Sequence, residues 1–104
     1  MIRAENKTIK MVEGDFGLPL PITVTGTTIS NDETIKITIN NMEKEEIFSQ
    51  EYKDIKNNTF DLIFTEEQSK ELKEGMYTYS IDWFKGTTFL GNIVNREMFE
   101  VEGK

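Results

Sequence analysis

The stretch that most constrains the fold of this chain covers residues 72–83, where large side chains alternate with small or polar ones. It holds two of the three tyrosines and the single tryptophan, so one of its faces is strongly apolar. A period of two residues is typical of a β-strand with one buried face, because successive side chains point to opposite sides. We therefore expect residues 72–83 to form the central strand of an antiparallel β-sandwich, reached through a tight corner at Gly75.

Six further segments follow the same period or are rich in β-branched and aromatic residues, and we expect each to be a strand. They cover residues 8–12, 16–24, 34–39, 46–52, 59–64 and 92–101. For the Glu-rich segment over residues 42–48, a helix is the competing interpretation. The last strand does not keep one register, and a β-bulge near residues 95–97 would restore it.

A short helix signal lies between residue 64 and the corner at Gly75. Thr65 is a suitable N-cap, and Gln68 stands at the capping-box spacing from it. One or two helical turns fit before Gly75, which predicts a short crossover between two sheets. About seven strands and one helical turn indicate a single domain over residues 1–104, an immunoglobulin-like antiparallel two-sheet β-sandwich.

The spacing Leu72-x-x-Gly75-x-Tyr77 resembles the tyrosine corner of immunoglobulin-like domains. In that motif a tyrosine hydroxyl bonds to backbone at the crossover into a central strand. Tyr77 is the candidate for this role, and Tyr79 is expected to be an ordinary core residue. The alternative is that both are simply large inward side chains. Trp83 is expected in the core rather than on a ligand platform.

The residue types that this chain lacks narrow its chemistry. It has no cysteine and no histidine, which excludes Cys- or His-based zinc sites and Ser-His or Cys-His nucleophiles within the chain. Its 19 acidic and 12 basic residues give a net charge of −7, which argues against nucleic-acid binding. No apolar stretch approaches the roughly 20 residues of a membrane span, and residues 1–7 lack the apolar region of a secretory signal. We expect no catalytic, cofactor-binding or metal-binding residue, and a location in the cytoplasm of the producing cell.

Two features are candidates for contact with a partner. Pro19 and Pro21 lack an N–H toward the same side of their strand, so this strand either lies at a sheet edge or leaves the sheet in its first half. The alternative role of these prolines is to protect the edge against unwanted pairing. Phe84 falls on the polar face of its strand, and Phe89 and Leu90 lie in the following turn region. An exposed apolar cluster is expected there, unless the turn folds back and buries these side chains.

Four segments together resemble a known family. They are the G-D-x-G opening around Gly14 and Asp15, the alternating strand over residues 33–39, the Leu-x-x-Gly-x-Tyr-x-Tyr-x-Ile segment over residues 72–81 and the closing Phe-x-Val of residues 99–101. They are similar to small immunoglobulin-like domains in tail and baseplate proteins of tailed phages or prophages, such as the N-terminal domain of upper baseplate proteins in phages of Gram-positive bacteria. The resemblance implies a non-enzymatic virion component that is made in the bacterial cytoplasm. It would dock onto other tail or baseplate proteins without cofactor, nucleic acid or membrane, and homo-oligomerisation stays open.

Three other interpretations remain open. A carbohydrate-binding module would need exposed aromatic side chains in a row, and Tyr52, Phe84 and Phe89 are the ones available. A small enzyme would need a pocket with paired carboxylates, which no recognisable spacing indicates. Asp15 lies between two glycines, where its carboxylate is more simply explained as a turn cap than as part of a calcium site.

Overall fold

The structure, a computed structural model, describes residues 2–5 and 7–104. Over these residues it has eight strands and one short helix. In chain order they are β1 (Arg3–Glu5), β2 (Thr8–Val12), β3 (Leu20–Thr23), β4 (Glu33–Asn41), β5 (Glu46–Tyr52), β6 (Thr59–Leu62), α1 (Glu66–Lys70), β7 (Gly75–Lys85) and β8 (Thr88–Glu102). The bounds of β5 are those predicted from the sequence, so the competing helix over residues 42–48 is wrong.

The strands form two sheets, and the predicted fold class is confirmed. The large sheet has the order β1-β2-β8-β7-β4-β5, and the small sheet consists of β3 and β6. All neighbours pair antiparallel except β2 and β8, which run parallel at residues 9–12 and 99–102. This parallel pair differs from the sequence prediction, in which all strands of the sandwich are antiparallel. Parallel strands need a long connection, and most of the chain lies between these two.

The core lies between the two sheets. Ile35, Ile37 and Ile39 of β4 are fully buried, because their strict alternation with polar residues turns all three to one face. Burying such a side chain contributes about 1.5–3 kcal/mol relative to leaving it exposed. From the other side, the ring of Phe64 meets that of Phe48 edge-on at a centroid distance of 4.9 Å. These side chains therefore join the segment after β6 to the large sheet.

The strand predicted over residues 16–24 is much shorter in the structure. β3 begins at Leu20, and the side chains of Phe16 and Leu18 are exposed instead of sharing the buried face. The first half of the segment leaves the sheet, which was one of the two alternatives. Gly17 still donates its N–H to the Phe64 carbonyl at 2.9 Å. The loop therefore runs beside the end of the small sheet without forming a ladder.

The tyrosine corner is confirmed. The Tyr77 hydroxyl donates to the Lys73 carbonyl at 2.8 Å, next to Gly75, whose φ of +148° suits a residue without Cβ. Tyr79 does more than fill the core, because its hydroxyl donates to the Lys7 carbonyl at 2.6 Å. Trp83 packs against the core, as expected, although it is only half-buried.

Two further features predicted near the corner are present in the structure. Leu72 is fully buried. The capping box at α1 is present, with the Thr65 hydroxyl accepting from the Gln68 N–H at 3.1 Å. It fixes the start of the short helix that carries the chain from the small sheet to β7.

β8 is bulged at three places rather than at the single one predicted. Asn95 and Arg96 together face one residue of β7, which is the expected bulge near residues 95–97. Ile93 and Leu90 are further residues without a partner on β7. The hairpin turn consists of residues 86–87 alone, so Phe89 and Leu90 lie in β8 and not in a turn region. Because the turn is this tight, pairing with β7 reaches the tip of the hairpin.

Asn58 joins the small sheet to the loop that follows β3. Its side-chain amide donates to the carbonyls of Val24 and Thr27 at 3.1 and 2.6 Å, and its Oδ1 accepts the Ile29 N–H at 3.0 Å. The residue has a φ of +56°, a left-handed conformation that asparagine adopts more readily than most residues. One side chain therefore satisfies three backbone groups that no sheet ladder reaches.

Replacing Tyr77 by Phe tests the tyrosine corner. We expect Tyr77→Phe to lower the free energy of unfolding by about 0.5–1.5 kcal/mol, the net value of one hydrogen bond, as measured by urea denaturation. Tyr52→Phe is the matched control, because the buried Tyr52 hydroxyl forms no hydrogen bond of normal geometry among the described residues, only a weaker interaction with the backbone of Ile63. Equal effects of the two substitutions would contradict the assigned role of Tyr77.

A second pair of variants tests Asn58. Asn57 is its neighbour, is exposed and has nearly the same φ, +55°. Placing alanine in this left-handed conformation therefore destabilises the fold by a similar amount at either position. We expect Asn58→Ala to lower the free energy of unfolding by about 1–3 kcal/mol more than Asn57→Ala, because buried backbone groups lose their partner. Chemical denaturation of both variants would measure the difference. Equal stabilities would show that the hydrogen bonds of the Asn58 side chain do not stabilise the fold.

Candidate interaction surfaces

The acidic side chains do not gather into a site. Within residues 2–5 and 7–104, no group of three or more acidic side chains is placed to hold a metal ion. Asp15 caps its own turn: its Oδ2 accepts the Val12 N–H at 3.0 Å, and its N–H donates to the Val12 carbonyl at 3.0 Å. Gly14 precedes it with a φ of +91°. The turn-capping interpretation of Asp15 is therefore the one that the geometry supports.

Among the described residues no helix is long and apolar enough to cross a membrane.

The three tyrosine hydroxyls titrate differently from exposed tyrosines because of where the fold places them. Burial raises the pKa of Tyr52 to about 12, and the nearby negative charge of Asp61 adds to this rise. Burial also raises the pKa values of Tyr77 and Tyr79. A carboxylate contributes in each of these two cases, Glu13 for Tyr77 and Glu97 for Tyr79. All three hydroxyls consequently lose their protons at a higher pH than an exposed tyrosine does.

An exposed apolar cluster lies at the tip of the β7–β8 hairpin. The hairpin patch consists of Phe84, Phe89 and Leu90. Phe84 and Phe89 pair across the two strands, with ring centroids 5.6 Å apart and an interplanar angle of 66°. Phe89 is 54% exposed and Leu90 is 40% exposed. Phe84 is half-buried, and the hairpin does not fold back over Phe89 and Leu90, so the surface expected from the sequence is present.

A shallow cleft adjoins the hairpin patch. It has a volume of about 380 Å³ and is lined by Phe84 together with polar and charged side chains from β4 and the segment around β5, including Lys36, Glu51 and Lys53. Lys85, beside it on β7, forms an ion pair with Asp32 at 3.6 Å. The hairpin patch is thus bordered by charges of both signs.

The aromatic residues proposed for carbohydrate binding are not in one row. Tyr52 is half-buried, and its ring lies against that of Phe60 at a centroid distance of 4.7 Å. Phe84 and Phe89 are the pair that the fold brings to a common surface, and their rings meet edge-on instead of side by side. The cleft at Phe84 is consequently the place where a sugar would have to be tested.

The outer edge of β3 has an unusual backbone. Val24 donates its N–H to the Asn58 carbonyl on the β6 side at 2.8 Å. Because alternate residues of a strand point their backbone groups the same way, the groups of Pro21 and Thr23 face away from β6. The N–H that Pro21 lacks is thus missing from the free edge, where proline is tolerated. Pro19 lies just before the strand.

A large groove runs along this free edge. The β3–β8 groove has a volume of about 460 Å³ and is lined by residues of β3 and the two positions after it, by β7 and β8, and by β2 with the residue before it. The lining residues are Lys7, Ile9, Leu20, Pro21, Ile22, Thr23, Val24, Thr25, Tyr79, Ile81, Ile93, Val94, Asn95 and Glu97.

In the sequence, Pro21 indicates one wall of this groove, but no residue pattern indicates the wall that β8 forms. That wall depends on the bulge at Ile93, which lets Ile93 and its neighbour Val94 both pack against the core. The signal in the sequence was the broken register of residues 92–101. That signal indicates a bulge, but it does not say which surface the bulge builds.

A smaller hollow lies beside the exposed loop before β3. It is lined by Ile2, Asp15, Phe16, Leu18 and Phe64, and its volume is about 20 Å³, enough for about one water molecule. The exposed side chains of Phe16 and Leu18 therefore border no cavity of useful size.

Comparison of the chain with protein-family models, with curated proteins and with solved structures finds no match.

The raised pKa of Tyr52 predicts how stability changes with pH. In the unfolded chain a tyrosine loses its proton near pH 10, whereas in the folded protein Tyr52 does so near 12. Between these values the folded state holds the extra proton, so the contribution of Tyr52 to stability is complete below pH 10 and is lost as the pH rises toward 12. We expect the urea midpoint to fall less steeply over this range in Tyr52→Phe than in the unchanged protein. Parallel pH profiles of the two proteins would contradict this expectation.

Proposed function

We propose that this protein is a non-enzymatic structural module of a phage or prophage tail or baseplate, and that it works by docking onto other components of that assembly. The observation that carries the proposal is the hairpin patch, an apolar surface held out at the tip of two long paired strands. The resemblance to tail and baseplate domains supplies the kind of assembly.

The chemistry of the hairpin patch suits a protein contact. Aromatic side chains are enriched where protein interfaces carry most of their binding energy, and each buried phenylalanine contributes about 1.5–3 kcal/mol from burial alone. Phe84 and Phe89 face each other in a two-residue hairpin, so their positions are fixed before binding. A preformed surface loses little conformational entropy when a partner covers it.

The composition supports a role without catalysis. The chain contains neither histidine nor cysteine, and the part of it that the structure describes has no acidic cluster placed for a metal ion. A fold with a hydrogen-bonded corner, a capped helix and a filled core is suited to holding surfaces in place. This reasoning favours a binding role over an enzymatic one.

Carbohydrate binding is the alternative function, and the cleft beside Phe84 is the observation that favours it. Its polar and charged lining, with Lys36 and Glu51, could hydrogen-bond sugar hydroxyls beside an aromatic face. This alternative predicts binding of cell-surface glycans by the isolated protein, whereas docking predicts binding to tail proteins.

Association with particles tests the docking proposal. We expect the protein to copurify with tailed particles from the producing culture in a fixed copy number, measured by quantitative mass spectrometry. Phe89→Ser should reduce the amount bound by at least about tenfold, because it removes an exposed contact residue. Met42→Ser is the matched control: Met42 is 60% exposed in the turn between β4 and β5, and its loss should leave association unchanged.

Two outcomes would overturn the proposal. One is absence of the protein from purified particles while it accumulates free in the cell. The other is a large change of Trp83 fluorescence on titration with cell-wall glycans that is lost in Phe84→Ser, which would favour the carbohydrate alternative.

A further inference from the structure

The β3–β8 groove lies beside two strand edges that have no neighbour in the described structure. β2 pairs with β8 only at residues 99–102. Along the rest of β8, the edge opposite β7 carries no strand among residues 2–5 and 7–104. On the other side of the groove, β3 pairs with β6 alone. The sandwich is therefore open along this side.

The floor of the groove is apolar. It is formed by buried residues of the large sheet, Ile9, Tyr79 and Ile81, and the half-buried Ile22 and Val94 lie along its two sides. Covering half-buried apolar side chains is favourable at roughly 25 cal/mol per Å² of surface removed from water. An occupant with apolar side chains would therefore gain by facing this floor.

The size of the groove fits an extended segment better than a folded surface. Fourteen of the described residues line it, whereas a stable interface between folded proteins uses about 20–30 residues on each side. Residues 20–25 all line one wall, a length that matches about six extended residues or roughly 20 Å. In an extended segment every second side chain points the same way, which would turn one set toward the floor.

Charge argues against a second copy as the occupant. The chain carries a net charge of −7, so two copies repel each other. Within the groove the charges of Lys7 and Glu97 are opposite, and the other described residues of the lining are uncharged. A segment that is neutral or basic would meet no repulsion there and would be attracted by the acidic chain as a whole.

The two edges also determine how such a segment would be held. Pro21 offers a carbonyl but no N–H, and the bulges at Ile93 and at residues 95–96 interrupt the regular spacing of β8. A long ladder of main-chain hydrogen bonds cannot form against such edges. Specificity would consequently come from apolar side chains at alternate positions, with few backbone bonds.

We propose that the β3–β8 groove binds an extended, non-acidic segment of a partner protein that places apolar side chains at alternate positions. This inference rests on the proposed function only in requiring a protein partner. It holds for any such partner, whether or not that partner belongs to a phage.

Selection from a display library of short random peptides on the isolated protein tests the proposal. The expected result is enrichment of peptides with apolar residues at alternate positions and without acidic residues. Their affinity is then measured by fluorescence polarisation on two variants. Thr25→Trp fills the groove from an exposed position in its lining, and should weaken binding by at least about tenfold. Thr28→Trp is the matched control, an exposed threonine of the same loop outside the groove, and should leave affinity within about twofold.

Three results would overturn the inference. The first is the absence of enriched peptides, and the second is equal binding to both threonine variants, which would place the peptides elsewhere. The third is a dimer, seen by sedimentation equilibrium, that dissociates in Thr25→Trp, because the occupant would then be a second copy. Each is independent of particle association, so the groove inference and the proposed function can fail separately.

Discussion

The pairing of β7 on both of its sides is the constraint on which the rest of the structure depends. β4 covers one edge from Asn41 to Glu33, and β8 covers the other up to the hairpin tip. Side chains of β7 form part of the floor of the β3–β8 groove, and its last residues carry Phe84 of the hairpin patch. A strand bonded on both sides and packed on a core opens only with much of the domain. Both surfaces therefore include side chains of a strand that is paired along both of its edges over these lengths.

The features that could be predicted from the sequence are those set by neighbouring residues. Strict alternation of Ile35, Ile37 and Ile39 with polar residues identifies a half-buried strand wherever it occurs, and Thr65 with Gln68 specifies a helix start within four residues. The tyrosine corner belongs to the same class, since the Tyr77 hydroxyl reaches a carbonyl only four residues away. In each case the interaction joins residues close in sequence, so the sequence pattern is enough to predict it.

The features that could not be predicted depend on distant pairing. Phe16 and Leu18 continue the alternation of β3, but the chain there runs beside Phe64 and not within a ladder. The hydrogen bond from the Tyr79 hydroxyl to the Lys7 carbonyl joins residues 72 positions apart, and no local sequence pattern predicts it. The β3–β8 groove likewise needs both the bulge at Ile93 and the early end of the pairing between β2 and β8. The sequence shows that the strand alternation is broken at these places, but the course of the backbone there follows from pairing with distant strands.

The parallel pair of β2 and β8 has a mechanical consequence. A pull applied to the start of β2 and the end of β8 acts along the strands, because both run in the same direction. It has to shear the four residue pairs from Ile9–Phe99 to Val12–Glu102 together, along with the bond from the Glu13 N–H to the Glu102 carbonyl. An antiparallel pair held at its open end would instead unzip one bond at a time. The geometry thus makes the domain more resistant to tension along the strand direction than an unzipping pair would be.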